Sequence, residues 1–153
     1  MAQLKIGDKA PQFSLLDQTS NTVSLTDFKG KKLLVYFYPK ADTPGCTTQS
    51  CSVRDAGEKL DSSGIAAVGI SPDKPVKQQK FDEKFELGFP LLSDEDHQVA
   101  TAFGAWGLKK MYGKEYEGII RSSFLIDEKG KIAQVAYKVK PDQTVPLALE
   151  AAG

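Results

Sequence analysis

The chain has 153 residues, 41% of them hydrophobic and 26% charged, a size and balance that fit one domain able to bury a core without disulfide or metal staples. Lys and Arg together number 20, as do Asp and Glu, so the neutral balance gives no electrostatic basis for binding nucleic acid or an anionic membrane surface. No apolar run approaches the length of a membrane span, and the opening stretch Met1-Ala-Gln-Leu-Lys-Ile-Gly-Asp8 lacks the basic and apolar regions of a secretory signal.

Strand and helix signals alternate along the chain. Residues 13–17 and 22–25, joined by Gln18-Thr-Ser-Asn21, predict a hairpin. Residues 32–38 form a continuous apolar run ending at Pro39, the pattern of a central strand buried on both faces. Residues 46–62 suit a helix with Val53, Ala56 and Leu60 on one face. Residues 64–71 predict a second buried strand, stopped by Pro72. A helix is expected over 71–87 with Val76, Phe81 and Phe85 in the core, then a short strand over 89–93 and a helix over 94–103. Residues 122–127 and 131–137 flank Glu128-Lys-Gly130 as a second hairpin, and residues 143–151 predict a closing helix. There are no repeats or linkers, so residues 1–153 read as one layered α/β domain, a βαβ core carrying an antiparallel hairpin.

Cys46 and Cys51 are the only cysteines, and both lie just past the first buried strand. Sites in open α/β sheets gather where a strand's carboxyl end meets a helix N-terminus. Pro39 ends the strand, Pro44-Gly45 turns the chain, and Cys46 falls in the first turn of the helix. The macrodipole and free backbone N–H groups there stabilise a thiolate. Two thiols alone at this spacing suggest redox chemistry between them. The bland alternative is a buried cysteine acting as a small hydrophobe, but the Pro/Gly turn is unlike a core segment.

Pro39, Thr43 and Cys46 match the Pro-x3-Thr/Ser-x2-Cys signature of peroxiredoxins, and residues 43–55 resemble the bacterioferritin comigratory protein branch, also called peroxiredoxin Q. Further landmarks are residues 7–13, 35–39, 68–73, 89–94 and 118–124, so the similarity runs through nearly the whole chain. It implies a thioredoxin-like fold: a central mixed sheet flanked by helices, with the N-terminal hairpin added. Cys46 would be the peroxidatic nucleophile, oxidised by peroxide to a sulfenic acid. Arg121 matches the family's arginine, whose guanidinium would stabilise the thiolate and hold the peroxide oxygens; the alternative is a salt-bridged edge residue. Thr43 would orient the peroxide, against a helix-capping role. Pro39 would shield the pocket, against simple strand termination. The N–H groups of Gly45 and Cys46 would be further donors.

Cys51 would be the resolving thiol. In an unbroken helix, five residues turn the chain roughly 140° past one full turn and advance it about 7.5 Å, whereas disulfides rarely span Cα separations above about 7 Å. The helix would therefore have to unwind first. If Cys51 is instead inert, a one-cysteine mechanism with external resolution applies. The branch often has a small residue then Phe where Ser52-Val53 stands, and Thr where Ser123 stands; neither change touches the chemistry.

The resemblance implies hydrogen peroxide and organic hydroperoxides as substrates, thioredoxin or a similar dithiol as reductant, and no cofactor or metal. A monomer is expected, in the cytoplasm, or in an organelle after removal of a transit segment. Two other readings compete. A thioredoxin-type oxidoreductase acting on proteins would prefer Cys-x-x-Cys, and the spacing here is wrong for it. A non-enzymatic redox sensor or holdase-like protein would oxidise Cys46 without recycling. Arg54 is expected either to support the site or to form a surface ion pair. His97 is expected as a helix-start residue, and Tyr36, Tyr38 and Trp106 as core.

Overall fold

The computed structural model describes residues 3–152. Among them a seven-stranded mixed sheet has the order β2-β1-β5-β4-β3-β8-β9. Strand β3 (Lys32–Phe37) pairs in parallel with β4 (Ile65–Ser71) and antiparallel with β8 (Ser122–Ile126). A strand so placed has neighbours on both edges and both faces, which is why it reads as an unbroken apolar run. The N-terminal hairpin of β1 (Ser14–Leu16) and β2 (Thr22–Ser24) joins the far edge through β5 (Leu91–Ser93). Strand β9 (Ile132–Tyr137) completes the predicted second hairpin.

The pleat of β3 divides the core in two. Leu33, Val35 and Phe37 face one cluster with Phe103 and Phe124. Leu34, Tyr36 and Tyr38 face another with Cys46, Val53, Leu60, Phe81 and Val145. The second cluster packs α1 (Pro44–Asp55), α2 (Gly57–Ser62), α3 (Pro75–Phe85) and α5 (Thr144–Ala152) against the sheet. The opposite face carries α4 (Gln98–Ala102) and a separate ribbon of β6 (Trp106–Met111) and β7 (Lys114–Ile119).

The structure departs from the sequence expectations at five places, one being that the helix expected over 71–87 spans only Pro75–Phe85. Residues 46–62 form two helices, because Ala56 (φ −91°, ψ 7°) leaves helical geometry before Gly57. Val76 is 57% exposed, and beside the expected Phe81 the buried residue of α3 is Gln78. Its amide donates to Ser71 Oγ and Leu92 O and its carbonyl accepts from the Tyr38 hydroxyl. The helix expected from residue 94 starts only at Gln98, with His97 as its N-cap, and the buried Asp94 carboxylate ahead of it accepts from the N–H groups of Val99 (3.1 Å) and Ala100 (2.9 Å). Burial pushes the Asp94 carboxyl above its ordinary range, and those two bonds work against the shift. The β6–β7 hairpin was not anticipated, although Tyr112-Gly113, with φ of 53° and 77°, makes its two-residue turn.

Gly69 on β4 shows how tightly the tyrosine face is packed. A Cβ there would lie 2.7 Å from Tyr36 Cζ and 3.1 Å from Tyr38 Cε1. Gly69→Ala must move two buried rings, so a loss of about 1–3 kcal/mol in unfolding free energy is expected in urea denaturation. A variant as stable as the parent would refute the packing argument.

Candidate active site

Helix α1 starts with Thr43 as N-cap in an extended conformation and Pro44 in its first turn. Proline suits this place because its fixed φ is helical and the missing N–H has no helical acceptor anyway. The first helical bond runs from Thr47 N to Thr43 O at 2.8 Å. The N–H groups of Gly45 and Cys46 thus lie in the turn that has no helical acceptors. The Thr43 hydroxyl does not cap the helix; it donates to Lys40 O at 2.8 Å and locks the preceding turn. Two contacts brace that turn: Ala41 N donates to Asp73 Oδ2 at 2.7 Å, and Lys84 Nζ pairs with Asp42 Oδ2 at 2.9 Å. Asp42 sits at φ 62°, a left-handed conformation that an Asp tolerates better than most residues.

Cys46 is fully buried, and both cysteines are free thiols. Arg121, directly before β8, reaches across from the sheet: its Nη2 donates to Cys46 Sγ at 3.4 Å and its Nη1 to Gln49 Oε1 at 2.7 Å. Gln49 in turn donates from Nε2 to Thr144 Oγ1 at 2.9 Å, so the amide is clamped on both sides and sets the guanidinium plane. Arg121 forms no ion pair among the described residues, in contrast to the edge-residue alternative. Sequence reasoning missed Gln49; its signal was a position three residues after Cys46, on the same helix face. Gly45 leaves the space this requires, since a Cβ there would lie 2.9 Å from Arg121 Nη2. Pro39 follows β3, half-buried.

Cys51 is half-buried on the same unbroken helix, packed against the tyrosine cluster. Beside it, the buried Tyr36 hydroxyl shares a 2.8 Å hydrogen bond with Ser50 Oγ. Burial, the dominant cause, drives the Tyr36 phenol far above its usual range, so it stays neutral. Arg54 does not reach the thiol. It pairs with Asp55 at 2.9 Å on the surface and donates from Nη1 to Phe85 O at 2.6 Å, tying α1 to the end of α3. His97, at φ 50°, stacks on Trp106 with ring centroids 3.7 Å apart. Tyr38 is fully buried in the core with Tyr36. Among the described residues no cluster of three or more His, Cys, Asp or Glu could hold a metal, and no helix is long and apolar enough to cross a membrane. A thiol in the first turn of a helix, touched by a guanidinium, is set up for nucleophilic attack.

The chain is similar to known proteins over most of its length. The family model described as the AhpC/TSA family matches residues 6–135. The chain is 58% identical over 140 residues to a putative peroxiredoxin bcp of Haemophilus influenzae, covering 92% of this chain and 90% of that protein. It is 58% identical over 135 residues to Peroxiredoxin Bcp of Escherichia coli, covering 88% and 86%. The crystal structure of peroxidoxin BcpB from Mycobacterium tuberculosis superposes with a TM-score of 0.88 at 34% identity, over 98% of this chain and 97% of that one. The thioredoxin-like fold expected from the sequence is thereby established.

Gly45→Ala tests the placement of the guanidinium. The clash falls on the flexible end of a side chain, so stability should stay within about 1 kcal/mol. The alkylation rate of Cys46 by iodoacetamide should drop about threefold to tenfold as the cation leaves the sulfur. An unchanged rate would mean that the 3.4 Å contact contributes nothing to the thiol's reactivity.

Proposed function

The chain belongs to the AhpC/TSA family and to its Bcp peroxiredoxin branch, a thiol-dependent peroxidase, and on that premise we propose that Cys46 is the thiol that meets the peroxide and Cys51 the thiol that resolves it. The observation that carries this reading is the 3.4 Å contact between Arg121 Nη2 and Cys46 Sγ at the start of α1.

The Cys46 thiolate attacks one peroxide oxygen. An S–O bond forms, the O–O bond breaks, and the second oxygen leaves with the electron pair and takes a proton as water or an alcohol. Arg121 meets the charge first on sulfur and then on the departing oxygen. The N–H groups of Gly45 and Cys46 supply neighbouring donors. Thr43 already donates its hydroxyl hydrogen to Lys40 O, so its oxygen lone pairs serve as acceptors for the peroxide O–H. Pro39 keeps water from the pocket.

Resolution needs α1 to open. The two cysteines lie five positions apart on one helix, a separation that does not permit a disulfide while the turns stay intact. Once unwound, Cys51 sulfur attacks Cys46 sulfur, an S–S bond forms, and the sulfenic oxygen leaves as water. Thioredoxin or a similar dithiol then reduces the disulfide, consuming two thiols per peroxide. Hydrogen peroxide and organic hydroperoxides are the proposed substrates. Because both thiols lie on one helix, a monomer is sufficient. The single domain operates in the cytoplasm.

In a thioredoxin-coupled assay, Cys46→Ser should abolish peroxide turnover. Cys51→Ser should consume about one peroxide per chain and then stop. Full turnover by Cys46→Ser would overturn the assignment. Unwinding must also break the Ser50–Tyr36 bond and the Arg54–Phe85 tie. Each such bond is worth about 1 kcal/mol net, so Ser50→Ala should speed disulfide formation about fivefold by rapid-quench mass spectrometry, and the exposed Arg54→Ala should do so less. A slower or unchanged rate in both would argue against unwinding as the controlling step.

A further inference from the structure

Beside Arg121 lies a groove of about 620 Å³ that the mechanism above leaves unused. Lys109, Lys110, Arg121 and Lys138 line it together with Glu115, and Leu108, Ile120 and Val139 form its apolar part. The cations at this groove are not equivalent. Lys110 pairs with Glu115 at 3.7 Å, 77% exposed. Lys109, the preceding residue, has no carboxylate partner among the described residues.

The Lys109 side chain is placed by its neighbours. Its Nζ lies 5.9 Å from the centroid of the Tyr116 ring, the residue opposite it in the hairpin. Its stem passes Gly118, where a Cβ would sit 3.4 Å from Lys109 Cδ. Burial depresses the ammonium's proton affinity first, the nearby Arg121 charge adds to that, and Cys46 acts in the opposite direction. Lys109 is half-buried and shares its groove with Arg121, whose guanidinium touches the thiol. Four cations and one carboxylate line the groove, and that carboxylate, Glu115, pairs with Lys110, so Lys109, Arg121 and Lys138 leave a net positive potential that a negative ligand would relieve.

We propose that Lys109 sets the charge preference of this peroxidase: together with Arg121, which lines the same groove and touches Cys46, it makes that groove favour a peroxide carrying a negative charge over a neutral one of the same shape. The inference rests on Cys46 being the reactive thiol. Lys109 makes no contact with sulfur; it acts by attracting and orienting the reagent's charge, and the apolar residues take the uncharged part of the molecule.

Two alkylating reagents of nearly equal shape isolate this effect. Iodoacetate carries one negative charge and iodoacetamide none, and each forms one S–C bond with loss of iodide. On a Cys51→Ser background, where Cys46 is the only thiol, the ratio of their rates cancels the thiol's own reactivity and accessibility. Lys109→Met should lower the iodoacetate-to-iodoacetamide ratio about threefold to tenfold at low salt, and Lys109→Arg should preserve it. High salt should bring the parent ratio towards that of Lys109→Met. A short hydroperoxide bearing a carboxylate, compared with its methyl ester, should follow the same order. An unchanged ratio in Lys109→Met, or an equal fall in both rates, would overturn the proposal. Failure of the underlying site assignment would look different, as peroxide turnover that survives Cys46→Ser.

Discussion

The contact between Arg121 and Cys46 organises the rest of this molecule. A thiolate buried in an apolar cluster carries a heavy desolvation cost unless a cation and directed N–H groups meet it. Here the cation comes from a residue 75 positions away in sequence. The antiparallel pairing of β3 with β8 brings the two together, setting Phe37 opposite Ser122, the neighbour of Arg121. The small residues fall into line with the same demand. Gly45 leaves room for the guanidinium. Gln49 and Thr144 form a chain of hydrogen bonds that fixes its plane.

That same set of bonds creates a tension along α1. The helix is held at its start by the braced turn around Asp42, in its middle by Gln49 and Ser50, and at its end by Arg54. These ties keep Cys46 in the helical first turn that suits a thiolate. They also hold Cys51 where its sulfur does not reach. The break at Ala56 limits how much must rearrange, since α2 is a separate short helix packed through Leu60. The first step of the proposed cycle therefore depends on the helix being folded and the second on its opening. The strength of a few hydrogen bonds sets the balance between them.

The two faces of the sheet divide the work. One face carries the thiol helix and the buried tyrosines. The other carries α4 and supports the base of the β6–β7 ribbon through Trp106, which stacks on His97. The ribbon brings Lys109 to the groove that Arg121 also lines. The proposed reaction centre and the proposed charge selectivity thus come from elements on opposite sides of the central strand, joined at Arg121 just before β8.

The sequence by itself determined the strands of the seven-stranded sheet and the place of Cys46 just after one of them. A short apolar run rich in aromatics and stopped by Pro39 fits a strand covered on both sides, and a Pro/Gly turn before Cys46 fits a helix start. Local pattern carries such information because backbone sterics and periodicity act over a few residues. The resemblance named Arg121, but not what held it. Gln49 looked like any polar helix residue until Arg121 and Thr144 stood on either side of it. Val76 looked like core because periodicity counts apolar residues, whereas the buried place went to Gln78, whose amide satisfies Tyr38, Ser71 and Leu92. Lys109 was invisible because the charge it feels comes from residues 12 and 63 positions away in the chain. Those outcomes depend on long-range pairing, which brings partners together only once the sheet has closed, and only the tertiary structure decided them.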